Sequence, residues 1–373
     1  MVYGGVGAPN GRRQRTLLRR SLDQPSVNVI PGTEGAIQPF FSPDGKSIAF
    51  FVLGGDLRKI SLDGGPAVTI ARGLPNPQWN FGVWRDDDII VFGTFDRLMQ
   101  VPAAGGTPMQ ILALDDGPSA DLWHHFPVSV PSTGDIIFTV YTSEARYRLD
   151  ILRWDTKARS TLIENAAAPV LTASGHLLFG RDDRVMVATF DASRRAVGPA
   201  SPLPESVVMD QFGVAQLAVS RTGTLVYVAP DPAAPAPTLG WMTRAGVFND
   251  VAALPAGLDY ASLSPDGTQA LVSSESRSRV AIVDITRGVS TLVPLGSRTT
   301  ESASWHPDGK HLTLGGAYLS LFDPDTGNET RLTPTGRPKR FASWSSVGRH
   351  VASNHFNVAD RCVAVVIPVD EGE

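Results

Sequence analysis

Phe41-Ser42-Pro43-Asp44-Gly45, Leu263-Ser264-Pro265-Asp266-Gly267 and Trp305-His306-Pro307-Asp308-Gly309 are three copies of one turn, and the spacing between copies decides the fold. Each is followed by a short apolar run: Ile48-Ala49-Phe50, Ala270-Leu271-Val272 and Leu312-Thr313-Leu314. Proline presets φ and glycine accepts a positive φ, so the strand entering the turn reverses at once into a hairpin. Weaker copies stand at Val83-Trp84-Arg85-Asp86, Val130-Pro131-Ser132-Thr133-Gly134, Leu171-Thr172-Ala173-Ser174-Gly175, Val219-Ser220-Arg221-Thr222-Gly223 and Ser343-Trp344-Ser345-Ser346-Val347-Gly348. With anchors near 42, 84, 131, 173, 220, 264, 306 and 345, the chain divides into about eight units of roughly 40 to 47 residues, the period of a four-stranded propeller blade.

Within each unit a short strand A ends in the turn and strand B follows. Strand C alternates, as in Leu57-Arg58-Lys59-Ile60-Ser61-Leu62, and an outer strand D, such as Val68-Thr69-Ile70, completes the unit. The expected fold is therefore all-β, a single β-propeller domain over residues 1–373 with about eight four-stranded blades, or seven as the alternative count. Val27-Asn28-Val29-Ile30 reads as a D strand that completes the last blade and closes the ring, removing an open sheet edge. Val2-Tyr3 and Leu17-Leu18-Arg19-Arg20-Ser21-Leu22 resemble B and C strands and compete for the same place.

The repeated turns resemble the WD40-like PD40 repeat of TolB-type propellers, from about Val27 to Ile367. They are similar to the propeller sensor region that follows the kinase domain in many bacterial serine/threonine kinases. That resemblance implies a binding or sensing module, with a kinase and a membrane helix elsewhere in the same polypeptide. No glycine-rich nucleotide loop, HRD loop or DFG segment occurs in this sequence.

Composition narrows the classes of function. Of 373 residues, 42% are apolar and 19% charged, with a net charge of −4, which argues against a disordered chain and a nucleic-acid partner. One cysteine, Cys362, excludes an intrachain disulfide and any multi-thiolate zinc site. No run approaches the ~18 apolar residues of a membrane span, so direct membrane insertion is not expected. The N-terminus lacks the apolar segment of a secretory signal, which predicts a cytoplasmic location for the sequence as written, or an extracytoplasmic one for a piece of a membrane-bound kinase.

Residues just before strand A line the channel mouth of a propeller. Counting back from the anchors gives Gln38, Asn80, His124, His125, Gln216, Asp259, Tyr260, Glu301 and Arg340, a mixed polar ring, with Trp79 and Trp123 as candidate stacking residues at the rim. This ring is the expected binding site for a peptide, a glycan or a small molecule. The alternative is a metal-dependent hydrolase of esters, lactones or phosphotriesters, or a lyase. Such an enzyme would hold calcium or manganese in the central channel through His125, Asn80, Gln216 and Glu301, with His124, His125 and Glu301 as catalytic candidates. Adjacent side chains on an extended segment point to opposite sides, so at most one of the two histidines faces the channel. His306, His311, His350, His176 and His355 occupy turn or strand-end positions and read as structural, and Asp86-Asp87-Asp88 stands in for Pro-Asp-Gly. There is no Gly-x-Ser-x-Gly elbow for a serine esterase.

Overall fold

The computed structural model describes every residue except 8–13, 22, 25, 76, 95–96, 116–120, 143–145, 182–183, 210–213, 232, 234–236, 256–257, 259, 275–278, 296–299, 301, 317, 335–338, 357–361 and 370–373. The anchors found in the sequence become A–B hairpins. Sheet I holds Ala36–Phe41, Ser47–Val52, Leu57–Ser61 and Val68–Ala71 in antiparallel order. Sheet II holds Phe81–Trp84, Ile89–Gly93, Arg97–Pro102 and Met109–Ala113; sheet III holds Asp121–Ser129, Ile136–Thr142, Tyr147–Leu152 and Arg159–Glu164. Sheet IV runs Ala167–Leu171, His176–Arg181 and Arg184–Asp191, with the short Ala196–Val197 and Ser201–Pro202 on its outer strand. Unit V is two hairpins, Leu217–Val219 with Leu225–Tyr227 and Thr238–Met242 with Phe248–Ala253. Sheet VI holds Tyr260–Leu263, Gln269–Ser273, Val280–Asp284 and Val289–Leu292; sheet VII holds Ser302–Trp305, Leu312–Gly315, Ser320–Phe322 and Glu329–Arg331; sheet VIII holds Lys339–Trp344, His350–Phe356 and Cys362–Pro368.

The turn chemistry recurs atom for atom. Ser42 Oγ donates to Asp44 Oδ1 at 2.6 Å and accepts from Ser47 N at 2.9 Å, and Ser264 repeats both bonds with Asp266 at 2.6 Å and Gln269 N at 2.9 Å. Gly45 and Gly267 adopt φ of 70° and 72° at the position where an L side chain is disfavoured. In sheet II, which lacks this glycine, Asp88 takes the left-handed conformation at φ 59°, as the acidic stand-in requires. Three A strands carry a second repeated device. Gln38, Phe126 and Ala168 each precede a proline, each has φ near +50°, and each sits at a break in strand register. A residue before proline is pushed out of the helical region, and here the chain uses a left-handed bulge to bend the start of the strand.

Neighbouring sheets pack face to face in chain order through apolar clusters. Phe51, Trp84 and Phe92 join sheets I and II, Phe138 and Val91 join II and III, and Leu149 and Phe179 join III and IV. Leu178 and Leu217 join IV to V, Leu254 and Val272 join V to VI, Leu271 and Trp305 join VI to VII, and Leu319 and Val351 join VII to VIII. Contacts between remote units bend this series round: Arg221 of unit V reaches Asp86 of sheet II at 2.8 Å, and Tyr318 of sheet VII packs against Trp123 and Tyr141 of sheet III. Sequential meanders wrapped in this way make a β-propeller. The only helical element among the described residues is the single 3-10 turn Pro77–Trp79.

The expected closing strand is corrected by the pairing. Val27–Val29 bonds to Gln14–Arg20, which bonds to Val2–Gly7, so these three strands form a sheet of their own and do not complete sheet VIII. Local hairpin order wins over the long-range pairing: Leu17 is fully buried against Ile48, Phe50 and Ile60 of sheet I, and Thr33 ties the sheet down by receiving Leu17 N at 3.0 Å and bonding Thr16 at 2.8 Å.

Candidate functional site

The strand Asp121–Ser129 carries the densest concentration of chemically capable side chains, and its two faces do different things. On the face toward sheet II lies a buried ionic network. Asp121 Oδ1 accepts from Arg148 Nη2 at 2.8 Å, and Oδ2 accepts from Arg159 Nη1 and from His124 Nε2, the latter at 3.0 Å. Asp150 receives Nε of Arg148 at 3.0 Å and Nε of Arg159 at 2.5 Å, so two carboxylates and two guanidiniums close a neutral ring. Alternation on strand Tyr147–Leu152 puts Arg148 and Asp150 on one side, and a register shift after Asp121 brings its carboxylate beside His124. The His124 ring meets Phe138 edge-on at 5.1 Å, which seals the network from above.

Burial raises the Asp121 carboxyl, but the His124 hydrogen bond and the Arg159 charge outweigh it and hold the group well below the usual carboxylate range. Burial lowers His124 despite the opposing pull of Asp121, and pushes His125 down to about 3, with the neighbouring His124 adding to the shift. Both rings are therefore neutral at pH 7. With Nε2 donating to Asp121, His124 Nδ1 is the unprotonated nitrogen, and it has no hydrogen-bond partner among the described residues.

On the opposite face an aromatic wall forms. Trp123 stacks on His125 with ring centroids 6.0 Å apart and on Tyr141 at 4.6 Å, and Tyr141 meets Tyr147 at 4.8 Å. Phe81 and Phe126 hold the other side of His125 at 5.9 and 5.7 Å. Trp123, His125, Phe126, Thr139, Tyr141 and Tyr147 line a small cavity, and Phe126 is shared with a neighbouring apolar cavity of about 120 Å³ bordered by Ala168, Pro169, Val170 and Leu217. Phe126 and Ala168, the two left-handed bulge residues of sheets III and IV, both line this second cavity.

The remaining candidates fall in different surroundings. Asn80 is fully buried and donates through Nδ2 to Pro75 O at 3.2 Å. Gln38 is a bulge residue, and Gln216 is exposed, with its backbone N–H on Val208 O and its carbonyl receiving Val228 N. Tyr260 is exposed. Asp259 and Glu301 lie outside the described residues, as do the side chains of Trp79, Arg340 and Cys362. Among the described residues the only trio of His, Cys, Asp or Glu with converging ligand atoms is His306, Asp308 and His311, in the A–B turn of sheet VII and not among the strand-A mouth positions. Sequence reading missed Asp121, Arg148, Asp150, Arg159, Tyr141, Tyr147 and Phe126. The alternation of Arg148 and Asp150 was the visible signal for the network, whereas the aromatic wall draws on three strands and left no local one.

No family model matches the sequence, and no curated protein matches it. Solved structures give likenesses of fold. The chain is similar to a gluconolactonase from Xanthomonas campestris (10% identity, 90% of this chain and 86% of that chain, TM-score 0.40). It is similar to the Dos1 propeller (10% identity, 98% and 88%, TM-score 0.37) and to the tricorn protease (12% identity, 96% and 48%, TM-score 0.29), whose chain it spans for about half its length. Identities and superpositions this low carry no function across. The propeller stands on the strand pairing and packing of this chain.

Proposed function

We propose that the chain is a non-catalytic recognition module that takes an apolar or aromatic group of a peptide, glycan or small-molecule ligand at the start of the A strands of sheets III and IV. One observation carries this reading: Phe126, at the end of the aromatic wall of Trp123, Tyr141 and Tyr147, lines an apolar cavity of about 120 Å³, while both adjacent histidines are held neutral and enclosed. Aromatic faces supply contact area at small entropic cost, which suits binding rather than turnover. The resemblance of the repeats to kinase-linked propeller sensors supports the same role and extends it to a sensor whose kinase and membrane helix belong to a longer polypeptide, a point the full reading frame tests.

The experiment is a binding screen of the purified chain against peptide, glycan and small-molecule panels, followed by Tyr147→Ala and Phe126→Ala. The expected result is a ligand whose affinity falls at least about tenfold in both variants with the melting temperature within a few degrees of the parent. Turnover of an ester, lactone or uronate that vanishes when His124 and His125 are replaced together would overturn the reading in favour of a metal-dependent hydrolase or lyase.

A further inference from the structure

The A–B turn of sheet VII differs from those of sheets I and VI at two positions that both carry histidine; the second is histidine in sheet VIII as well, at His350, but there the first is Ser345. Where sheets I and VI have Ser42 and Ser264, sheet VII has His306; where they have Ser47 and Gln269 at the opening of strand B, it has His311. Backbone closure of the turn is the same as in its serine counterparts, and His306 Nδ1 adds only a long bond, accepting from Asp308 N at 3.3 Å. His306 N bonds His311 O at 2.9 Å and Gly309 N bonds His306 O at 3.0 Å, the same pair that closes the Ser42 and Ser264 turns. Lys310 N and His311 N both donate to Asp308 Oδ1, at 2.8 and 3.0 Å. This leaves Asp308 Oδ2 for the two imidazoles: His306 Nδ1 stands 3.0 Å from it and His311 Nδ1 2.6 Å.

All three ligand atoms lie within 4.8 Å of one another. A cation held at ~2.0 to 2.2 Å from each donor, the usual range for imidazole and carboxylate ligands, needs donors ~3 to 3.5 Å apart, so the turn is already close to a ligating arrangement. The ring of His306 is fixed from outside the turn. It meets Trp344 of sheet VIII edge-on at 4.5 Å, and the Gly348 turn closes over its Nε2 side, which leaves Nδ1 facing inward. The side chains of His306, Asp308 and His311 are 19%, 33% and 35% exposed, so water can complete the coordination.

We infer that His306, Asp308 and His311 form a binding site for a single divalent transition-metal cation of the zinc, cobalt or nickel type, through two Nδ1 atoms and one carboxylate oxygen. Two imidazoles with one carboxylate favour these ions over calcium or magnesium, which take all-oxygen sets. The site lies in the turn after strand A, apart from the aromatic wall, and does not depend on the binding function proposed above.

The sister turns provide the test. His306→Ser and His311→Ser install the residues that Ser42 and Ser47 already place in a working turn, so each variant should fold as the parent does. Zinc is titrated by calorimetry into the metal-free full chain, with cobalt absorption as a second readout and calcium and magnesium as controls. The expected result is one zinc per chain, an affinity at least about tenfold weaker in each variant, and a zinc-induced rise in melting temperature that both variants lose. Absence of zinc binding in the parent chain would overturn the assignment, and so would equal zinc affinity in the parent and both variants.

Discussion

At the scale of single residues, Asp121 is a buried carboxylate held by two guanidiniums and an imidazole. Its side chain is fully buried and takes charge from Arg148 and Arg159, which are themselves 14% and 16% exposed. Breaking a buried pair from one side leaves the partner charge uncompensated, so Asp121→Ala is expected to lower unfolding free energy by about 3 to 5 kcal/mol in denaturant titration. The adjacent histidines His124 and His125 give a separate pH signature. Their folded pKa values lie below the unfolded value of about 6.5; as pH falls below that point the unfolded chain binds protons that the native one refuses, and stability declines with acid. For His125 the decline runs from about 6.5 in the unfolded chain to about 3 in the native one. Denaturation midpoints measured between pH 7 and 4 should therefore fall steadily, and His125→Phe should flatten the slope. None of this was legible from His124-His125 as a dipeptide: its alternation shows that the rings diverge, and only the packed sheet shows that each ends in a closed environment.

At the scale of elements, hairpins carry the message that sequence transmits best, because the side-chain hydrogen bonds of the Ser42-Pro43-Asp44-Gly45 turn close within five residues. Asp88 in place of glycine follows from the same logic. The close approach between strands of different sheets does not. Gly93, at the end of the second strand of sheet II, has room for no side chain: a Cβ there would stand 2.2 Å from the carbonyl oxygen of His124. Gly93→Ala must push sheets II and III apart beside the ionic network, and a loss of about 1 to 3 kcal/mol is expected, read as a lower denaturation midpoint. The bulges at Gln38, Phe126 and Ala168 were visible as three X-Pro pairs four residues ahead of their turns, yet their left-handed geometry emerges only when the strand start is fitted against its neighbour.

Over the whole molecule, burial is uneven around the propeller. The strand Ile136–Thr142 is buried at every residue, whereas Tyr227, Trp241, Met242, Phe248, Tyr260 and Leu263 of unit V and sheet VI are exposed. Local opening free energy follows buried contact, so amide hydrogen exchange should be fastest along Leu217–Val219, Thr238–Met242 and Tyr260–Leu263 and slowest along Ser47–Val52, Ile89–Gly93 and Ile136–Thr142. Mass spectrometry of exchange-labelled peptides checks this order, and uniform protection would contradict it. The sequence by itself determined the strand-turn-strand grammar, the period and the all-β class, since these rest on backbone chemistry confined to a few neighbouring residues. Only the tertiary structure decided that Val27–Val29 joins its own hairpin, that Asp121 meets arginines 27 and 38 residues away, and that two added histidines converge on one carboxylate oxygen. Those outcomes depend on which face packs against which neighbour, and a local pattern of alternation does not contain that choice.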